Sequence, residues 1–274
     1  MWVDIHSHSY PAHKAPEVIA SILAKTRNAC DMRVYGKGTI DNLIDVELAS
    51  GFDKVAICPI ATRPEQITYM LKYLSALRSG ALGELAMRHV IPCASLHPDD
   101  PDAELHMKQL LQYGVKMIKL HPYFQHARLD GRKMTRLLRI ISAENIPILC
   151  HTGYDVVDGQ EGLATPQQIL HVYRKVPNLK MICAHCAAWR CPDALKMLLG
   201  RQIYLDLSFQ PGSGVEPIVR KFATSHPQDY LLFGSDWPWM SPKLHAERIA
   251  SWELPQERLD AIMGLNAVRL LNLI

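Results

Sequence analysis

The sequence lacks several features that would place it in a specialised class of protein. No apolar run approaches the length of about 18 residues that a membrane-spanning helix needs. The N-terminal residues do not combine a basic stretch with an apolar run, so we expect no signal peptide and a cytoplasmic protein. Lys and Arg number 30 against 27 Asp and Glu, and the resulting net charge of +3 argues against nucleic acid or a membrane as partner.

The chain also has no low-complexity segment and no linker rich in Pro, Gly or Ser. With 48% hydrophobic and 21% charged residues, its composition is that of a globular protein with a sizeable core. We therefore predict one domain over residues 1–274. The seven cysteines are an odd number, and most lie in apolar segments, which indicates buried reduced thiols rather than a disulfide framework.

Short apolar runs, many of them rich in β-branched residues, recur along the whole chain. Near-continuous apolar character over about four to eight residues is typical of strands that are buried on both faces. Eight runs of this kind predict strands at Trp2–His6, Lys54–Cys58, Val90–Leu96, Val115–Leu120, Ile146–Cys150, Lys180–Ala184, Gln202–Leu207 and Tyr230–Phe233.

Helical patterns lie between these runs. Asp99–Tyr113 begins with acidic residues and ends before Gly114, Asp130–Glu144 carries an apolar stripe at helical spacing, and Thr165–Val176 begins with Thr-Pro. Strands that alternate with helices predict an α/β protein, most simply a (β/α)8 TIM barrel. An open doubly wound sheet is the alternative, but no GxGxxG motif follows an early strand to support it.

Two regions are longer than a minimal barrel requires. Residues 9–39 form a long loop after the first strand, with a helical pattern at Pro16–Arg27. After the last strand, Pro242–Trp252 and Pro255–Leu273 predict two helices, one more than closure of a barrel needs. A long loop at the carboxyl face of a barrel is where a lid or a specificity element would lie.

Polar residues with metal-binding chemistry stand at the ends of the predicted strands. In a barrel, the carboxyl ends of all strands meet at one mouth, so these side chains should converge. Three or four imidazoles with a carboxylate form a complete coordination shell for Zn²⁺ or a similar ion. The sequence therefore predicts a metal site from His6, His8, Lys119, His151, His185 and Asp236, with His121 at the same mouth.

The same segments resemble those of the amidohydrolase superfamily. The resemblance is nearest to the amidohydrolase-2 group, which includes enzymes similar to aminocarboxymuconate-semialdehyde decarboxylase, and it extends over the whole chain. It is carried by Asp4-Ile-His6-Ser-His8, Lys119-Leu-His121-Pro122, His151-Thr-Gly153, Ala184-His185, Gly234-Ser-Asp236-Trp-Pro238 and Asn266-Ala-Val-Arg-Leu-Leu271.

The resemblance implies a role for each matching residue. His6, His8, His151 and Asp236 would bind one catalytic divalent metal, most simply zinc. His185 would polarise the substrate or bind a second metal.

Lys119 matches a strand-four lysine that is carboxylated and bridges two metals in dihydroorotase-like members. Many amidohydrolase-2 relatives use a single ion, however. The alternative for Lys119 is therefore an amine paired with an interior carboxylate.

Other polar residues are weaker candidates. His121, and less strongly His97, are expected to contact substrate, and residues 237–240 are expected to wall the pocket. Asp206 is interpreted as structural. Arg33, Tyr35 and Lys37 would either pair with a substrate carboxylate or form an exposed loop. The remaining histidines are interpreted as surface or helix residues: His13, His89, His106, His126, His171, His226 and His245.

These expectations lead to a hydrolase that acts on a small-molecule amide, lactone or ester through a metal-activated water. Asp236 would bind the metal, accept the proton of the water and pass it to the leaving group, while His185 would donate to the carbonyl oxygen. A non-oxidative decarboxylase that uses the same site is the alternative. A TatD-type nuclease and a metal-binding module without activity are minor alternatives, and a homodimer is considered by analogy with other barrels.

Overall fold

The strands of the computed structural model, which describes residues 1–26, 32–157, 162–210 and 212–273, follow the predicted order. All pairings between neighbouring strands are parallel. The strands are β1 Val3–Ser7, β2 Lys54–Ile57, β3 Val90–Ile91, β4 Cys93–Ser95, β5 Met117–Leu120, β6 Ile148–Cys150, β7 Met181–Cys183, β8 Tyr204–Asp206 and β9 Leu231–Leu232.

The third predicted strand, Val90–Leu96, is divided into β3 and β4 at Pro92. Proline has no N–H to give to a strand ladder, so the regular pairing is interrupted there. The Pro92 carbonyl still accepts a hydrogen bond from Lys116 N at 2.8 Å. Because β3 and β4 occupy one position in the barrel, nine segments account for eight strands.

The two outer edges of the strand array meet between β1 and the end of β9. Ile5 N donates to Phe233 O at 3.1 Å, and Ser7 forms a parallel bridge with Trp237. These contacts bring the first and the eighth strand together. The fold is therefore the predicted (β/α)8 barrel.

Helices follow the strands and cover the outside of the barrel. The apolar stripe predicted for the sixth helix is buried, and Thr165 caps the seventh in a capping box with Gln168. The helices are α1 Ala15–Thr26, α2 Ile40–Ala49, α3 Ile67–Arg78, α4 Glu84–His89, α5 Ala103–Gln112, α6 Arg132–Ala143, α7 Pro166–Lys175, α8 Ala194–Leu198, α9 Glu216–Ser225, α10 Pro242–Ala250, α11 Gln256–Asp260 and α12 Asn266–Leu271.

The helix predicted after the first strand is present as α1, although Arg27, its predicted last residue, lies outside the described residues. The six described cysteines are all buried and unpaired. No helix in the described parts of the chain combines the length and apolar character of a transmembrane segment.

The predicted helix Pro255–Leu273 is wrong as one continuous element. It consists of α11, a π-helical turn at residues 261–265, and α12, because the backbone leaves helical geometry at Gly264. At this point the chain passes directly over the N-terminus, and a Cβ on Gly264 would lie 2.0 Å from the Met1 carbonyl oxygen. Phe233 N also donates to Ile262 O at 3.0 Å, so this turn attaches the C-terminal segment to the end of β9.

We predict that Gly264→Ala lowers the free energy of unfolding by about 2 kcal/mol, because the added methyl group must displace backbone rather than a flexible side chain. Urea denaturation followed by circular dichroism measures the change. Leu265→Ala in the same turn is the matched control. Its side chain is 56% exposed, so its effect should stay within about 0.5 kcal/mol. Equal stabilities of the two variants would contradict the proposed close contact.

Candidate metal centre

A cavity lies over the carboxyl ends of the strands, where the polar side chains were predicted to converge. Its volume is about 790 Å³, including the part open to solvent. All seven side chains that the sequence nominated line it: His6, His8, Lys119, His121, His151, His185 and Asp236.

His6, His8 and Asp236 form one of the groups of possible metal ligands in the described parts of the chain. The Nε2 atoms of His6 and His8 lie 3.4 and 3.2 Å from the same carboxylate oxygen, Asp236 Oδ1. The other ring nitrogen of each histidine faces an acceptor, since His6 Nδ1 lies 2.7 Å from Asp206 Oδ2 and His8 Nδ1 lies 3.0 Å from the Cys58 carbonyl. In His6 the proton is therefore on Nδ1 and the lone pair on Nε2, 2.8 Å from Lys119 Nζ, whereas His8 faces an acceptor at each ring nitrogen.

This arrangement fits a divalent cation. One nitrogen from each of two imidazoles and one carboxylate oxygen lie within 4.8 Å of one another. Ligating histidines usually donate their second N–H to a carboxylate or a backbone carbonyl, which is the environment of His6 and His8. Imidazole and carboxylate ligands suit zinc and several other transition metals.

Backbone contacts between β1 and the segment after β9 bring the three ligands together. Asp236 N donates to His6 O at 2.7 Å, and His8 N donates to Trp237 O at 2.6 Å. The buried Asp4 carboxylate accepts from His6 N at 2.9 Å and from Ser235 N at 3.1 Å. Asp236 itself has φ of 62°, a left-handed conformation of the kind that is often retained at functional sites.

The charge states of His6 and Asp236 follow from their surroundings. Burial alone would raise the pKa of Asp236, but the adjacent imidazoles of His6, His8 and His185 outweigh it and lower the pKa to about 2. Burial, reinforced by Lys119, holds the pKa of His6 well below its usual value. At neutral pH the group therefore contains an ionised carboxylate and a neutral imidazole, the forms that bind metals.

Asp206, which the sequence analysis interpreted as structural, holds two of the site histidines. Besides His6 Nδ1, it accepts from His185 N at 3.3 Å and from Ser208 N at 2.7 Å. The Ser208 hydroxyl donates to Asp206 Oδ1 and lies 2.8 Å from His185 Nδ1. Since the hydroxyl has only one hydrogen, His185 Nδ1 must donate to it, which leaves the lone pair of His185 on Nε2.

Lys119 is fully buried at the floor of the cavity. Its Nζ lies 2.8 Å from His6 Nε2, so the amine contacts an imidazole and not the interior carboxylate of the alternative interpretation. The amine thus occupies the lone pair that a metal would use. Binding of a cation through His6 Nε2 requires the amine to give up this contact.

His151 belongs to a second group, with His121 and Asp155. The two rings are stacked with centroids 4.2 Å apart, and Asp155 Oδ2 lies 3.4 Å from His151 Nε2 and 3.7 Å from His121 Nε2. The Tyr154 carbonyl also lies 3.4 Å from His151 Nε2. Two acceptors at Nε2 indicate that the lone pair of His151 is on Nδ1.

The first and second groups adjoin each other through His185. The ring centroid of His185 lies 5.2 Å from that of His6 and 4.9 Å from that of His151. His151 nevertheless does not share the compact group of His6, His8 and Asp236 in the described structure. Asp155 was not predicted from the sequence, because it lies in a loop four residues after His151 and not at the end of a strand.

The weaker candidates divide between the cavity and its surroundings. Trp239 lines the cavity, whereas His97 does not. The Nδ1 atom of His97 accepts a hydrogen bond from Asp99 N. Trp237 is fully buried under the first loop and donates from Nε1 to the Tyr35 carbonyl, so it supports the loop rather than the cavity wall. Met240 lines a separate depression, together with Arg33 and Tyr35.

Other predictions for single residues have mixed outcomes. Pro238 accepts from Tyr35 N through its carbonyl, and Lys37 N donates to Asn42 Oδ1. The prediction for His226 is wrong, because it follows α9 and is buried with Nε2 against the Ile203 carbonyl. His245 lies on α10 as predicted but is fully buried.

Comparisons with known proteins agree with this fold. A family model described as Amidohydrolase, of the amidohydrolase-2 type, matches residues 86–273, which is more than half of the chain. No curated protein matches the chain.

Several solved structures have the same fold at low sequence identity. An uncharacterized TIM-barrel protein from Bordetella bronchiseptica has a TM-score of 0.75 and 16% identity, with 99% of this chain and 98% of that chain covered. A 5-carboxyvanillate decarboxylase from Novosphingobium aromaticivorans with bound manganese has a TM-score of 0.71 and 13% identity, with 99% and 97% covered.

A probable 2-pyrone-4,6-dicarboxylic acid hydrolase from Acinetobacter baumannii has a TM-score of 0.63 and 14% identity, with 99% of each chain covered. At these identities the structural similarity establishes the barrel, while the family model establishes the family. The chain is an enzyme of the metal-dependent amidohydrolase family, in its amidohydrolase-2 group.

Proposed function

We propose that this enzyme hydrolyses an amide, lactone or ester bond of a small molecule. The observation that carries the proposal is the Asp236 carboxylate, which lies at the floor of the cavity beside the Nε2 atoms of His6 and His8. Its pKa of about 2 keeps it ionised at neutral pH, so a carboxylate oxygen that can accept a proton is present there. Hydrolysis needs such an acceptor next to the attacking water.

We propose zinc as the metal, held by His6, His8 and Asp236, with His151 contributing through Nδ1. A bound divalent ion supplies a water with a pKa lowered towards about 7 and a positive charge that polarises a carbonyl group. Manganese, which is bound in the similar decarboxylase, is the alternative. Titration of the metal-free protein with Zn²⁺ gives the number of ions that bind. A second ion would accompany a carboxylated Lys119.

The residues of the chain divide the remaining work. Asp236 accepts the proton of the attacking water and returns it to the leaving group. His185, when protonated, donates from Nε2 to the carbonyl oxygen, and its Nδ1–H remains bonded to Ser208, which in turn donates to the carboxylate of Asp206. His121, which is 5% exposed and stacked between Phe124 and His151, forms part of the surface on which substrate rests.

Reaction in ¹⁸O-labelled water distinguishes hydrolysis from other outcomes. With phenyl acetate, dihydrocoumarin and acetanilide as probes, we expect the enzyme to incorporate one ¹⁸O atom from water into the acid product of the substrate it accepts, measured by mass spectrometry. The reason is that the new C–O bond is made by water. Release of carbon dioxide from aromatic acids, with no solvent oxygen in any product, would contradict the proposal.

Asp236→Asn should lower kcat by about 10²- to 10⁴-fold, because an amide cannot accept the proton of the water. Steady-state kinetics with the accepted probe measure this loss, and circular dichroism checks that the variant is folded. Asp193→Asn, at an exposed position before α8, is the matched control and should keep the wild-type rate. A wild-type rate in Asp236→Asn would remove the proposed base.

A second candidate, decarboxylation at the same site, is favoured by the walls of the cavity. Phe124, Trp189, Phe209 and Trp239 line it, and such flat apolar surfaces suit a planar ring. The similar enzyme from Novosphingobium aromaticivorans is described as a 5-carboxyvanillate decarboxylase. Measurement of carbon dioxide release from hydroxylated benzoates, alongside ¹⁸O incorporation, separates the two reactions.

Asp206→Asn should weaken metal binding by about 10- to 100-fold, because an amide replaces one carboxylate oxygen by a donor and cannot accept from both His6 and Ser208. Competition between the protein and a chromophoric chelator for Zn²⁺ measures this affinity without any substrate. Asp193→Asn again serves as the control. An unchanged affinity in a folded Asp206→Asn protein would show that Asp206 does not position the ligands.

A further inference from the structure

Three side chains in one wall of the cavity carry polar atoms that have no hydrogen-bond partner. They are Trp189 Nε1, both amide atoms of Gln210, and Ser213 Oγ, and all four atoms are inaccessible to solvent. Only ten buried side-chain atoms lack a partner in the described parts of the chain, and four of them lie in this wall. Unpaired buried polar groups are costly, so their concentration at one place requires an explanation.

The three residues come from neighbouring parts of the barrel mouth. Trp189 lies in the loop after β7, and Gln210 and Ser213 lie in the loop after β8. The Ser213 backbone N–H donates to the Gln210 carbonyl at 3.1 Å, which places these two residues in one turn. The floor of the same cavity differs, because there Nδ1 of each of His6, His8 and His185 has a hydrogen-bond partner.

The chemistry of the wall is that of a neutral polar ligand. Trp189 can only donate, whereas the Gln210 amide and the Ser213 hydroxyl can both donate and accept. Among the described residues that line the cavity, Lys119 is the only Lys or Arg, and it contacts His6 at the floor. A carboxylate placed at the wall would meet no Lys or Arg among the described lining residues to offset its charge.

We propose that Trp189, Gln210 and Ser213 form a recognition subsite for an uncharged hydrogen-bonding substituent of the substrate, such as a carboxamide. The subsite discriminates against a carboxylate or a methyl group at the same position. Phe209, Val215 and Trp239 line the cavity nearby and limit access of water, which makes an unpaired polar group there more costly. This inference rests on the proposed function only in that it takes the cavity as the substrate site.

The test uses binding to the metal-free full-length protein. The probes are 4-hydroxybenzamide, 4-hydroxybenzoate and p-cresol, which differ at one ring position, and ligand-observed NMR gives their dissociation constants. We expect the wild-type protein to bind the benzamide about tenfold more tightly than p-cresol and more tightly than the benzoate. Gln210→Leu should remove this preference, and Ser213→Ala, a smaller change, should reduce it several-fold.

Gln167→Leu is the matched control, because Gln167 is an exposed glutamine on α7, away from the cavity wall. It should keep the wild-type preference. Absence of saturable benzamide binding, equal affinities for benzamide and p-cresol, or an undiminished preference in folded Gln210→Leu and Ser213→Ala would each overturn the subsite. Because binding needs neither metal nor turnover, a failure to incorporate ¹⁸O would affect the proposed reaction and not this result.

Discussion

The hydrogen bond between the Asp206 carboxylate and His6 Nδ1 is the interaction on which the rest of the site depends. Both side chains are almost completely buried, so the bond has little competition from water. It puts the proton of His6 on Nδ1 and the lone pair on Nε2, towards Asp236. Through Ser208 the same carboxylate sets the tautomer of His185. One buried anion thus determines which nitrogen two imidazoles present to the cavity.

The barrel makes this arrangement possible because it brings distant segments of the chain together. His6 comes from β1, Asp206 from β8, and Asp236 from the segment after β9 that bridges back to β1. The closure of the barrel and the assembly of the site are therefore one event. The hydrogen bond from Asp236 N to His6 O and the bridge from Ser7 to Trp237 belong to both. Mutations that weaken these contacts between β1 and the segment after β9 should disturb the geometry of the site before they disturb the distant helices.

Much of the fold and most of the site residues were predictable from the sequence, because both depend on short local patterns. Apolar runs of strand length gave the eight strands, and the polar residue that ends each run identified His6, His151 and Asp236 as members of one cavity. The break at Gly264 was not predictable, because it depends on a contact with Met1 that is remote in sequence. Asp206 has the same strand-end signal, but its role follows from partners that only the structure identifies.

The floor and the wall of the cavity follow opposite physical rules. At the floor, Asp206 and the Cys58 carbonyl fix the ring orientations of His6 and His8, so the reactive atoms are organised before a substrate enters. At the wall, Gln210 and Ser213 leave their polar atoms unpaired, a cost that a hydrogen-bonding group of the substrate would offset. The floor would then determine the reaction, and the wall would determine which substrate is bound. Substitutions at the wall can therefore change which molecule is bound while the floor keeps the same reaction, which is how one barrel can serve many substrates.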